Sequence, residues 1–121
     1  MNKDIIGIDF GTTNSKMAYM LLDEPVVIEN DLGRRITPSV VYFKNEKDFS
    51  IGEQAKHNQI IYPEKVVSSI KRKMGTDYKK NVGRYKFPPE YIGALIFQKL
   101  IHDARERTGK TFYDAVVSVP A

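Results

Sequence analysis

The sequence predicts an α/β domain in which antiparallel strands come first, helices follow, and a last strand returns parallel to the first. Three observations predict it. Short apolar and β-branched runs separated by turn residues fill the first half of the chain. An apolar residue then recurs every four positions from Pro89 to about Thr108. A final apolar run, Ala115 to Val119, follows that segment, and a strand reached through a helical crossover lies parallel to its neighbour.

Each element has a local reason. Ile5-Ile6-Gly7-Ile8-Asp9-Phe10 is a short apolar run and reads as a buried strand. Gly11-Thr12-Thr13-Asn14-Ser15 is a turn of small hydrogen-bonding residues, and Lys16 to Leu22 completes a hairpin. Pro25 to Glu29 reads as a third strand, Asn30-Asp31-Leu32-Gly33 as a turn, and Ser39 to Phe43 as a further strand. Asn45 to Asp48 is polar punctuation before Phe49 to Ile51. Gly52 to about Asn58 and Pro63 to Met74 read as helical, with Pro63 at a first helical position and Gly75 as a C-terminal cap. In the longest helix Ile92, Ile96, Leu100 and Ala104 form the apolar stripe, Phe97 and Ile101 widen it, and Gly109 ends it.

A chain of 121 residues has room for one domain, and 41% hydrophobic with 28% charged residues is a globular composition rather than a disordered one. With no cysteine, disulfides, thiolate zinc sites and cysteine nucleophiles are excluded, which fits a reducing compartment. No apolar run reaches the ~20 residues a membrane helix needs, and the residues after Met1 do not read as a signal peptide, so the expected location is the cytosol. Charge is uneven. Residues 1–62 carry a net −2 and residues 63–121 a net +6. Lys71, Arg72, Lys73, Lys79, Lys80, Arg84 and Lys86 crowd one stretch, interleaved with Tyr78 and Tyr85. Such a stretch has the ingredients of a nucleic-acid surface, but a solvated peripheral segment is the reading adopted, with no nucleic-acid partner. His57 and His102 have no metal-ligand spacing, and Ser15, Ser39, Ser68, Ser69 and Ser118 lie in no nucleophile-elbow pattern.

The chemistry-bearing segment is Gly7-Ile8-Asp9-Phe10-Gly11-Thr12-Thr13-Asn14-Ser15. It holds neither a Gly-Lys-Ser/Thr triplet nor a G-x-G-x-x-G fingerprint. Its physics still points to phosphate. Gly11 lets the backbone approach a ligand, successive amides of a tight turn can converge on an anion, and two threonine hydroxyls add donors. Asp9, alone in an apolar strand, needs water, a hydrogen bond or a cation. A carboxylate beside such a turn suits a hydrated magnesium ion, which keeps several waters and takes few protein ligands. An ordinary hairpin turn is the competing reading of the same residues.

Asp9-Phe10-Gly11-Thr12-Thr13 after Ile5-Ile6-Gly7-Ile8 resembles the first phosphate loop of the actin-like ATPase superfamily, which has a ribonuclease-H-like fold. Four later segments resemble the heat-shock protein 70 (DnaK) chaperones within it. Arg34-Arg35-Ile36-Thr37-Pro38-Ser39-Val40-Val41 is similar to their R-x-T-P-S segment, and Ile51-Gly52-Glu53-Gln54-Ala55-Lys56 to their vGxxAk helix start. Ser69-Ile70-Lys71-Arg72-Lys73-Met74-Gly75 is similar to their xxKRxxG segment, and Val116-Val117-Ser118-Val119-Pro120-Ala121 to their VITVPA segment. The segments follow family order along the whole chain, whereas sugar kinases share only the first.

The resemblance implies roles. Gly11, Thr12, Thr13 and Asn14 would cradle the phosphates of ATP or ADP, and Asp9 would hold a water of the Mg2+ shell. Lys71 would be the catalytic lysine facing the terminal phosphate, and Pro120 the hinge that passes nucleotide state to a substrate-binding half. Unfolded polypeptides, a J-domain co-chaperone and a nucleotide-exchange factor would be the partners of the parent protein. Departures are Lys16, where many members carry a small or apolar residue, and Phe87-Pro88-Pro89-Glu90, which lacks a capping hydroxyl at Pro88. The short span from Gly75 to Phe87 implies an abbreviated peripheral subdomain. The family's second phosphate loop, adenosine site and second lobe are not among these residues. The expectation is therefore a half-lobe cut after Ala121 that binds nucleotide weakly and associates with itself through the uncovered edge of Ala115 to Val119. A filament-forming actin-like protein and a sugar kinase are the competing members of the superfamily.

Overall fold

The computed structural model describes residues 4–118. Along β1 (Ile5–Phe10) the buried Ile6, Ile8 and Phe10 alternate with more accessible neighbours, the period of a strand with one face on a core. β1 turns directly into β2 (Asn14–Leu21), which is antiparallel to it with Ile8 opposite Met17 and Asp9 opposite Lys16. A two-residue turn at Leu22 and Asp23, with φ of 52° and 66°, leads to the antiparallel β3 (Glu24–Val27). Positive φ at both central residues is the hairpin geometry that matches strand twist. The chain then crosses to β4 (Thr37–Pro38), which pairs with the start of β2.

Ser39 separates β4, which belongs to the main sheet, from β5 (Val40–Phe43), which lies in a second sheet and takes up the run expected from Ser39 to Phe43. β5 is flanked by β6 (Phe49–Ile51) and β7 (Val66–Ser68), both antiparallel to it. α1 (Glu53–Ile61) packs on this second sheet through the fully buried Ala55. β8 (Lys80–Val82) and β9 (Tyr85–Phe87) form a hairpin, and α2 (Pro89–Thr108) carries the chain back to β10 (Asp114–Ser118). β10 is parallel to β1, with Val116 opposite Gly7 and Ser118 opposite Asp9. The main sheet thus runs β10-β1-β2-β3, with β4 on the end of β2. This is a mixed α/β fold with antiparallel early strands and a parallel return, as expected.

α2 covers one face of that sheet. Ile92, Leu95, Ile96, Leu100 and Ala104 join Ile6, Ile8, Phe10, Met17 and Ile28 in one core. Pro89 sits at the first helical position without a side-chain cap at Pro88, and Gly109 ends the helix at φ 71°. No helix among the described residues is long and apolar enough to cross a membrane.

One expectation is corrected. Pro63 to Met74 is not a continuous helix but two 3₁₀ turns, Pro63–Lys65 and Ile70–Lys73, with β7 between them. Val66 and Val67 are β-branched and gain more by pairing with β5 and burying their side chains than a helix would return. The hairpin β8–β9 was not legible either, because its two strands are three residues each. Its tip is held from outside, where Glu46 accepts the Arg84 amide at 2.7 Å and pairs with the guanidinium at 3.3 Å.

α2 also holds the loop after β3. Asp103, 3% exposed, faces Lys99 at 2.8 Å, and Lys99 reaches Asp31 at 3.0 Å. Burial pushes the Lys99 ammonium down, but hydrogen bonds and charge from Asp103 and Asp31 more than offset this, so it titrates above 10.5. Lys99 therefore binds its proton more tightly in the folded chain. The resulting stability is present in full below pH 10.5 and is lost as pH rises through the raised folded value. Lys99→Met is expected to cost about 1–3 kcal/mol at pH 7 by leaving Asp103 buried without its partner. Urea unfolding at pH 7 and pH 11 checks this, and the difference between the two proteins should narrow at the higher pH.

Candidate functional site

At the C-terminal end of β1 the chain reverses within three residues, and Gly11 makes this feasible. Its amide donates to the Asn14 carbonyl at 3.0 Å, and a Cβ built on Gly11 would lie 2.2 Å from that same oxygen. Thr12 is half-buried, Thr13 and Asn14 are exposed, and among the described residues the amides of Thr12 and Thr13 make no backbone hydrogen bond. The turn presents backbone donors that no carbonyl among the described residues takes up.

Ser39 closes the turn from below. Its amide donates to the Thr13 carbonyl at 2.9 Å, its hydroxyl donates to the Gly11 carbonyl at 3.0 Å, and the Ser15 hydroxyl lies 2.8 Å from it. The sequence singled out the Thr37-Pro38-Ser39 segment only by resemblance and considered both serines only as nucleophiles. The signal that identifies them is structural, because 28 residues separate Ser39 from Gly11.

Lys71 arrives from the 3₁₀ turn that follows β7 of the second sheet. β7 is fixed against β5, Ser69 takes a left-handed φ of 56°, and the fully buried Ile70 anchors the 3₁₀ turn. A non-glycine residue in that region is strained and persists only where its surroundings enforce it. The consequence is that the Lys71 ammonium donates to the carbonyl of Phe10 and lies 5.7 Å from the centre of its ring. The next peptide is that of Gly11, so the cation stands at the root of the turn. Phe10 is in turn held by Phe97 of α2, ring centres 4.9 Å apart.

Asp9 points from the opposite face of β1 to Phe10. It is exposed and accepts a hydrogen bond from the Ser118 hydroxyl at 3.0 Å, with Lys16 opposite it on β2. Asp9 and Lys71 therefore flank the end of the strand from its two faces, with the turn between them. The structure brings Asp9, Gly11, Thr12, Thr13, Asn14 and Lys71 to one end of one strand. Pro120 lies outside the described residues. His57 and His102 are exposed on α1 and α2 and take no part. The basic stretch after Lys71 is engaged locally, with Lys73 over the ring of Tyr78 at 5.3 Å and Arg84 over Tyr85 at 5.5 Å. Burial pushes the Tyr78 phenol above its usual value of 10.0.

The turn, Asp9 and Lys71 thus meet at the C-terminal end of β1, with Ser39 beneath them. A family model described as "Hsp70 protein" matches residues 5–86, from the first residue of β1 to within one residue of the end of β9. That match spans more than half of the 121 residues, and it includes the turn, Ser39 and Lys71. The chain belongs to the Hsp70 family.

Proposed function

We propose that the chain is the N-terminal part of a nucleotide-binding domain of ribonuclease-H-like fold, and that the β1–β2 turn holds the phosphates of ATP or ADP. The parent would couple ATP hydrolysis to binding and release of unfolded polypeptides. The observation that carries the reading is the convergence of Lys71, from the 3₁₀ turn that follows β7, on the carbonyl at the root of a turn whose Thr12 and Thr13 amides are unused.

The residues present fit a magnesium nucleotide. Gly11 leaves no room for a side chain, the turn offers donors, and Asp9 is an exposed carboxylate beside it. Gly11, Thr12, Thr13 and Asn14 would hold the phosphates, and Asp9 a water of the magnesium shell. Magnesium bound there would neutralise phosphate charge. Lys71 would face the terminal phosphate and hold the attacking water, a compact cation placed where charge shifts during phosphoryl transfer. Pro120 would pass the nucleotide state onward. A J-domain co-chaperone, a nucleotide-exchange factor and a cytosolic location belong to the same reading, which rests for them on family membership.

The test is a titration of the ¹⁵N-labelled chain with magnesium–ATP. The amides of Thr12, Thr13 and Asn14 should shift first, with a dissociation constant weaker than low micromolar, because one turn supplies little of the contact area of an enclosed ligand site. Shifts confined to the basic stretch Arg72 to Lys86 would refute the assignment.

Self-association belongs to the proposal as well. β10 ends the sheet, all its residues are exposed, and among the described residues no strand pairs with its outer edge. A second copy is the fitting occupant. Antiparallel pairing about Val116 sets Asp114 against Ser118 and Ala115 against Val117, so the strand's one charge does not meet its like. Light scattering during size exclusion should show a species heavier than 13.8 kDa at about 100 µM, and Val116→Lys should return it to the monomer. A monomeric wild-type chain with slowly exchanging β10 amides would contradict it.

A further inference from the structure

Within the Thr-Pro-Ser segment, Thr37 and Pro38 form β4 and pair with the start of β2. The segment's serine, Ser39, lies at the base of the turn. In a trans peptide the carbonyl of one residue and the amide of the next point in opposite directions. Ser39 draws the Gly11 carbonyl toward itself through its hydroxyl and the Thr13 carbonyl through its amide. The amides that share those two peptide planes belong to Thr12 and Asn14, and both are thereby aimed away from Ser39. Lys71 acts likewise one peptide earlier, since its hold on the Phe10 carbonyl sends the Gly11 amide toward Asn14.

The geometry points to Ser39 as the positioning residue of the phosphate turn, its hydroxyl fixing the direction in which the Thr12 amide is presented to an anion. This rests on the reading that the turn binds phosphate. Ser39 is 1% exposed and has no route to a ligand itself. Its hydroxyl acts only through the Gly11–Thr12 peptide, while its backbone hydrogen bond to the Thr13 carbonyl survives Ser39→Ala and Ser39→Cys. Ser15, equally buried, donates to Ser39 and leaves the Gly11 contact free to form without it. The two serines therefore differ in what they do to the turn, though both are buried hydroxyls whose removal costs stability.

That difference is the test. The 121-residue chain and its variants are titrated with magnesium–ATP, following the amide resonances, with urea unfolding alongside. Ser39→Ala is expected to weaken magnesium–ATP binding about fivefold, the worth of one hydrogen bond, and to move the Thr12 resonance of the ligand-free chain. Ser39→Cys, which fills the same space with a weak donor, should fold and weaken binding by at least threefold. Ser15→Ala should lose comparable stability with less than twofold change in affinity. Binding by Ser39→Cys within twofold of wild type overturns the proposal, as does an equal loss in Ser15→Ala, which would mean a packing role alone. A wild-type chain whose turn amides do not respond to magnesium–ATP overturns the phosphate reading itself, and this proposal with it.

Discussion

Replacing Lys71 with alanine, in a full-length Hsp70 protein carrying this chain, is expected to slow single-turnover ATP hydrolysis at least a hundredfold. Nucleotide affinity should stay within about tenfold. The expectation comes from where the ammonium stands, on the Phe10 carbonyl at the root of the turn. Removing one electrostatic partner of a reacting centre typically costs about 10²–10³ in rate, and an interaction made mainly in the transition state lowers rate more than affinity. Lys71 is half-buried on the short turn Ile70–Lys73, so its position is set by the fold. Lys73, two residues on, lies over Tyr78, and Lys73→Ala should leave the rate unchanged. Single-turnover measurement separates chemistry from nucleotide release. A Lys71→Ala rate within threefold of wild type would make Lys71 one more member of the basic surface run.

The second large effect is expected at Gly11. Gly11→Ala places a Cβ against the Asn14 carbonyl oxygen, at a distance that real Cβ atoms do not occupy. The atom struck is backbone and already accepts the Gly11 amide, so no side chain can swing aside. The turn must open. Overpacking of this kind costs about 1–3 kcal/mol, and here the strain falls on the peptides that present the Thr12 and Asn14 amides. Unfolding in urea should show that loss, and magnesium–ATP should bind the variant at least about tenfold more weakly, since two or more aligned donors are displaced together. Gly7→Ala is the comparison. Its Cβ would meet only the Ala18 carbonyl at 3.7 Å, an ordinary contact, so binding should be retained.

The strands with one buried face and the long helix were legible because their pattern is local. Ile6, Ile8 and Phe10 alternate, Ile92, Ile96 and Leu100 recur at helical spacing, and Gly109 ends the helix. The turn after β1 was legible in kind, from its small residues and from Asp9 standing alone in an apolar run. Its closure was not. Lys71 meets Phe10 across 61 residues, and nothing in the composition of the basic stretch distinguishes it from Arg72 or Lys73. Only the resemblance singled it out. Val66 to Ser68 misled for a related reason: Pro63 and Gly75 are sound helix punctuation, but pairing with β5 outweighs them. Ser39 carried no signal of its own, since a hydroxyl that turns a carbonyl acts through a contact that spacing does not encode.

The central claim is that Lys71 and the β1–β2 turn form one phosphate site. A crystal structure of the chain grown with magnesium and a non-hydrolysable ATP analogue tests it most directly. The account predicts a phosphate within hydrogen-bond distance of at least two of the amides of Thr12, Thr13 and Asn14, with the Lys71 ammonium turned toward it from the Phe10 carbonyl. A phosphate seated instead on the basic stretch Arg72 to Lys86, with the turn empty and Lys71 unmoved, would contradict it.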